Sequence, residues 1–211
     1  MMQVKCMEFN FLPVNTYIIW DETSEAAVID PGCFYPGETE QLAAFIRDNG
    51  LVVKLLLNTH LHFDHVFGNT FVEDTYKVKA HANDLDTPWI ESMSRKLAVF
   101  GINYEGHVNP ILPENVLHED DTVSFGHTVL HVMHIPGLSP GSIVFLNKEQ
   151  GCVFTGDVIF QGSYGRTDFP DGNHEALMRG IRTKLLTLPE DTTVYPGHGP
   201  ATKIKHEKKY Y

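Results

Sequence analysis

Thr59-His60-Leu61-His62-Phe63-Asp64-His65 sets four metal-ligand side chains within seven positions. Neutral imidazole combined with carboxylate suits zinc, and also iron or manganese. In an extended segment alternate side chains share a face. His60, His62 and Asp64 would then point one way and His65 the other. That gives two ligand sets, enough to begin two adjacent metal sites. A histidine-rich polar loop without chemistry is the plainer alternative, and His beside Asp at this spacing argues against it. Two further positions offer ligands. Asp157 follows Cys152-Val153-Phe154-Thr155-Gly156, so the acid sits where an apolar strand runs out. Its two oxygens allow it to bridge two cations, and Gly156 permits close backbone approach. His198 stands between glycines in Pro196-Gly197-His198-Gly199, a stiff loop that presents an imidazole with little around it.

Strands must deliver these residues to a common edge. Residues 4–11, 16–20 and 26–30 read as three strands in quick succession, an antiparallel beginning. Residues 37–49 carry Leu42, Phe45 and Ile46 at helical spacing, with Gly50 placed to end the helix. The apolar run 54–58 is a buried strand that ends at the histidine cluster. Strand, helix, strand, then ligands at a C-terminal strand edge is the usual place for a site in an α/β sheet. Residues 71–76 read as a helix and 78–81 as a short strand. Residues 84–101 are mostly helical, with Trp89, Met93, Leu97 and Phe100 as an apolar stripe that either packs in the core or walls a cleft. Residues 103–121 are turn-rich. Strands follow at 122–125, 128–135, 142–146 and 152–155. An amphipathic helix spans 173–188, a strand 193–195, and a short helix lies within 203–211. Two halves of similar content suit a sandwich with the sheets inside and the helices outside.

The chain has 211 residues, enough for one domain over 1–211 with a sizeable core. A hydrophobic fraction of 42% and an aromatic fraction of 11% exclude a disordered chain. The net charge of -11 opposes a nucleic-acid partner, since phosphate would be repelled. Cys6, Cys33 and Cys152 are far apart and odd in number, which suits core packing in a reducing compartment rather than disulfides. Neither a signal peptide nor a run of transmembrane length is legible, so a soluble cytoplasmic protein without a membrane partner is expected. Of the other histidines, His107, His118, His127 and His206 read as solvated, and His131 and His134 as packed. His81 ends a strand near the cluster and could orient a ligand through a hydrogen bond.

The chain resembles metallo-β-lactamase-fold hydrolases, in particular the glyoxalase II-like (hydroxyacylglutathione hydrolase-like) branch. The resemblance rests on residues 59–65, Thr155-Gly156-Asp157 and Tyr195-Pro196-Gly197-His198-Gly199. Asp30-Pro31-Gly32 and Gly165-Arg166-Thr167-Asp168-Phe169-Pro170 add to it. It implies a four-layer αββα sandwich of the α/β class, with two mixed sheets inside and helices outside. It assigns His60 and His62 to a first metal and Asp64, His65 and His198 to a second, with Asp157 bridging. The implied reaction is hydrolysis of an acyl compound or thioester by metal-bound hydroxide, on one or two zinc ions or on iron or manganese. Asp64 would orient the nucleophile, and Tyr164 and Arg166 would line the substrate cleft. A salt bridge from Arg166 to Asp168 or Asp171 is the structural alternative.

Two departures from the family pattern stand out. Leu138, in Ile135-Pro136-Gly137-Leu138-Ser139, occupies the place of a usual histidine ligand and cannot coordinate. The first metal would keep only His60, His62 and a share of Asp157. Only residues 199–211 follow His198, which leaves no room for the extra helical domain that helps hold glutathione in longer members. Two other functions compete: a mononuclear iron persulfide dioxygenase-like enzyme, and an impaired single-metal member.

Overall fold

Every position from Val14 to Ile19 in strand β2 (Val14–Trp20) is buried. A strand is buried on both faces only when both faces of its sheet are covered. The computed structural model describes residues 1–99, 101–102 and 113–211, the side chains of 94–96 excepted. Phe100 of the apolar stripe, His107 and most of the turn-rich stretch lie outside the described residues.

The first sheet has the order β1 (Gln3–Phe9), β2, β3 (Glu25–Ile29), β4 (Val52–Leu57), β5 (Ala80–Ala82) and β6 (Asn115–Val116). Its first three strands are antiparallel and the rest parallel. Between β3 and β4 runs helix α1 (Pro36–Asp48), which closes on Asn49 and Gly50. Glu38 caps α1 by accepting from the amides of Phe34 and Tyr35, and reaches the amide of Asn10 as well.

The second sheet contains β7 (Thr122–Phe125), β8 (Thr128–His134), β9 (Ile143–Asn147), β10 (Cys152–Gly156), β13 (Thr193–Pro196) and β14 (Thr202–Lys203). Its order is β14-β13-β10-β9-β8-β7, with β10 and β13 parallel and the other pairs antiparallel. A small hairpin of β11 (Ile159–Phe160) and β12 (Ser163–Tyr164), which the sequence did not announce, follows β10.

Tyr17, Ile19, Ile29 and Leu57 of the first sheet pack against Leu130, Val132, Phe145 and Phe154 of the second. On the outer face of the first sheet, Leu42 and Ile46 of α1 cover Ile18, Val28 and Leu56. On the outer face of the second, Leu177, Ile181 and Leu185 cover Val144, Val153 and Val194. The two mixed sheets lie inside and the helices outside, as the αββα reading expected. The helix read as 173–188 spans His174–Gly180, capped by Asn173, and runs into a wider turn at Ile181–Leu185. Of the cysteines, Cys33 and Cys152 are buried; Cys6 is exposed, so the core-packing expectation fails for it. Among the described residues, no helix is long and apolar enough to cross a membrane.

Candidate metal centre

β4 stops at Leu57, and the chain leaves the sheet edge through Asn58–Leu61 without regular structure. The extended segment expected for residues 60–65 ends at His62. Phe63–Val66 form one helical turn, α2, with His62 as its N-cap. Helical residues turn by about 100° each, so strict alternation fails from Phe63 onward. His65 therefore lies between the two ligand sets: its ring centroid is 4.2 Å from that of His60 and 5.3 Å from that of His198. His60 and His62 lie 4.6 Å apart.

Asp157 and His198 arrive from the second sheet. The backbone of β10 ends at Gly156 in the left-handed region, φ 49°, where a Cβ would collide with the Thr59 hydroxyl. The loop after β13 is tied to β2. Asn15 donates to Gly197 O at 2.7 Å through its amide and to Gly199 O at 2.7 Å through its side chain. Tyr17 donates to Pro196 O at 2.7 Å. His198 Nδ1 faces Pro13 O at 3.0 Å, which fixes Nδ1 as the donor and turns Nε2 inward.

Asp64, His65, Asp157 and His198 thus meet. His65 Nε2 is 3.4 Å from Asp157 Oδ1 and 3.7 Å from Asp64 Oδ2. His198 Nε2 is 3.5 Å from Asp64 Oδ2 and 3.5 Å from Asp157 Oδ2. Burial alone would push the Asp157 carboxyl up, but the charge of His65 and the contact with His198 outweigh it and hold it well below the carboxylate range. Asp64 is lowered in the same way. Burial likewise opposes a charged His65, yet Asp157 and Asp64 carry it well above the ordinary imidazole value. His198 is raised to about 10 against its own burial by the same two carboxylates. His60 goes the other way: burial, then His65 and His62, keep its ring neutral. Two buried carboxylates are here balanced by protons on imidazoles, and a metal cation would supply the same balance with neutral rings.

The donor set fits a divalent ion. Nε2 of His60, Nε2 of His65 and Oδ1 of Asp157 are buried without a hydrogen-bond partner. Such atoms are costly unless something engages them. Asp64, His65 and His198 offer ligand atoms within 4.8 Å of one another, and so do Asp30, His60 and His65. Asp30 is nonetheless already engaged. Its carboxylate accepts from the Thr59 amide at 2.8 Å and the Thr59 hydroxyl at 2.6 Å, and faces His65 Nδ1 at 3.1 Å. That is the arrangement of a group that orients a ligand.

Leu138 is buried and lines the same cavity, beside His62, Asp64, Asp157 and His198. Its side chain supplies no donor there. His134 is held by Pro140 O at 2.7 Å and is not turned toward Leu138's place. His81 bonds to the carbonyls of Lys79 and Leu56, not to any member of the cluster, so its expected orienting role is not seen. Tyr164 and Arg166 both line the cavity. Arg166 makes a two-pronged pair with Asp168, at 2.9 and 2.8 Å, and lies 4.5 Å over the Phe169 ring. Trp89, from the apolar stripe, lines the cleft with its ring 4.2 Å from that of His62.

Sequence reasoning passed over Asp86. It is buried and accepts from the Leu61 amide at 3.2 Å, the Ser139 hydroxyl at 2.7 Å and the Gly141 amide at 2.6 Å. One carboxylate thereby ties the histidine loop to the loop of Leu138. The only signal was an Asp one turn ahead of Trp89, which reads equally well as a helix cap.

The Metallo-beta-lactamase superfamily profile matches residues 9–198. The chain belongs to the metallo-beta-lactamase superfamily. A curated relative, hydroxyacylglutathione hydrolase GloC of Haemophilus influenzae, is 36% identical over 210 residues, covering 96% of each chain. Among solved structures, TTHA1623 in a di-iron-bound form superposes with a TM-score of 0.86 at 33% identity, over 98% of both chains. ETHE1 from Myxococcus xanthus superposes at 0.78 with 25% identity, over 99% of this chain and 82% of its own. Membership together with the His/Asp centre makes this a metal-binding hydrolase of the metallo-beta-lactamase fold.

Proposed function

We propose that this metallo-beta-lactamase-fold protein hydrolyses acyl thioesters and uses zinc, as one or two ions, with iron or manganese as substitutes. The observation that carries the reading is the meeting of Asp64, Asp157 and His198 on the floor of a cavity of about 710 Å³, with His65 buried against the same two carboxylates. The GloC relative, named as a hydrolase of hydroxyacylglutathione and matching over 96% of each chain, supports it. It also removes length as an argument against a glutathione thiol.

Asp64, His65 and His198 would hold one ion, His60 and His62 the other, with Asp157 between them. A bound divalent ion would make water acidic near neutral pH and stabilise the negative charge that develops on a carbonyl oxygen. The protein's own groups do the rest. Asp64 lines the cavity with little exposure and can accept a hydrogen bond from the attacking water, which aligns it. Asp30, through Thr59 and His65, and the Pro13 carbonyl, through His198, fix ring orientation before substrate arrives. Trp89 and Phe169, ring centroids 5.7 Å apart, shield the His62 side from bulk water. The oxygen of water bonds to the acyl carbon, the C–S bond breaks, and the sulfur leaves as a thiol carrying one of the water protons. The reading places the protein in the cytoplasm, in keeping with its three free thiols, and gives it a small-molecule substrate, in keeping with the cavity volume.

Thiol release from a panel of thioesters tests this. Equal amounts of thiol and acid should appear, stop with a chelator and resume with added zinc. No release from any thioester by zinc-loaded protein would reject the reading. A second reading is an iron persulfide dioxygenase-like activity, with the di-iron-bound form of TTHA1623 as its support; oxygen uptake by iron-loaded protein with a persulfide would favour it.

A further inference from the structure

The wall of the cavity is aromatic and aliphatic almost throughout. Phe11, Phe63, Trp89, Phe160 and Phe169 surround the carboxylate floor. Leu138 adds a buried aliphatic side chain to the same lining. Phe11 and Leu12 at the rim are each 39% exposed, and Tyr164 is 41% exposed. Folding normally hides such side chains, so apolar surface concentrated at one mouth marks a binding site.

Charge is the second observation. Arg166 is the only Lys or Arg among the described residues that line the cavity, and His198 is already paired with Asp64 and Asp157. Asp168 already takes both prongs of its guanidinium, and Phe169 lies under its plane. The chain as a whole carries -11. A thiol bearing two carboxylates finds no unpaired cation among the described groups of this wall, and meets repulsion from the surface.

Resting on the thioester reading above, we infer that the substrate's acyl half is bulky and apolar, aromatic or medium-chain aliphatic. It lies against the aromatic wall while the thiol half extends into solvent without an ion pair to the protein. Affinity then comes from apolar surface removed from water, about fourfold per buried methylene. A small hydroxyacyl group would leave most of the cavity unfilled.

Two series of thioesters test the inference on zinc-loaded protein. In the first, N-acetylcysteamine carries acetyl, butanoyl, hexanoyl, octanoyl or phenylacetyl. kcat/KM should climb at least 30-fold from acetyl to octanoyl or phenylacetyl, chiefly through KM. In the second, one acyl group is offered on glutathione and on N-acetylcysteamine, and the two should differ by less than about threefold. Phe11→Ala should flatten the first series. Calorimetry supplies a readout independent of turnover: the octyl thioether of N-acetylcysteamine, which cannot be hydrolysed, should bind at least tenfold tighter than the ethyl thioether. A flat or falling series, or a tenfold preference for glutathione, overturns the inference while leaving thioester hydrolysis intact. Failure to cleave any thioester, with tight octyl thioether binding, rejects the hydrolysis and keeps the apolar cavity. Equal binding of the two thioethers overturns the inference whatever is cleaved.

Discussion

Asp30 stands behind His65, its Oδ2 3.1 Å from His65 Nδ1, on the ring edge opposite the Nε2 that faces Asp157. The same oxygen accepts the Thr59 hydroxyl, whose oxygen in turn lies 3.1 Å from His60 Nδ1. One carboxylate at the end of β3 therefore sets two imidazoles that β4 delivers. Asp30→Asn keeps the shape and loses the charge. It should weaken zinc binding by about 10- to 100-fold, as loss of a group that orients a metal ligand typically does. Competition against a chelating dye measures this. Unchanged affinity would mean that Asp30 serves only the fold.

Leu138 predicts an uneven metal count. On the proposed assignment four donors, Asp64, His65, Asp157 and His198, would hold the second ion, whereas the first would have His60, His62 and a share of Asp157, with no donor from Leu138. Elemental analysis after dialysis should find about one tightly held ion per chain, and Leu138→His should raise the count toward two. Two retained ions in the unaltered protein would refute the asymmetry.

Gly156 cannot carry a side chain. Its φ of 49° is in the left-handed region, and a Cβ would strike the Thr59 hydroxyl that links Asp30 to His60. Gly156→Ala should cost about 2–4 kcal/mol of stability and reduce metal retention together. Chemical denaturation with parallel metal analysis would show both. A stable variant with normal metal content would contradict this packing.

Much of this was legible in the sequence, for identifiable reasons. The period of the apolar residues marks β2, β3, β4 and α1 because each has a face to bury, and the outer cover by Leu177, Ile181 and Leu185 follows helical spacing. His60, His62, Asp64 and His65 are adjacent in the chain, so their grouping needed no tertiary information. Three things were hidden. The switch from extended chain to a helical turn at Phe63 has no breaker or cap residue to announce it. Asp30 and Asp86 act across the fold, on Thr59 and His65 and on Leu61 and Ser139, and no local pattern encodes such partners. The hairpin of β11 and β12 is too short for any period to register.

Asp21 predicts acid sensitivity. It is buried at the end of β2 and accepts from the Thr23 amide and hydroxyl, the His127 amide and the Thr128 hydroxyl, joining the two sheets. Burial would raise its carboxyl, but these bonds outweigh it and hold the group at about 2. A lowered folded-state value contributes stability above the unfolded value of about 4, and that contribution is lost as pH falls toward 2. Asp21→Asn should cost about 2 kcal/mol at pH 7 and much less at pH 2. Denaturant titration at the two pH values checks the sign. An equal loss at both would show that the charge contributes nothing.

Anomalous scattering at the zinc edge, from a zinc-soaked crystal of the unaltered protein, tests the central claim most directly. A peak should lie about 2.0–2.2 Å from Nε2 of both His65 and His198, in contact with the carboxylates of Asp64 and Asp157. A crystal with zinc bound elsewhere, or with none among these four side chains, would contradict it.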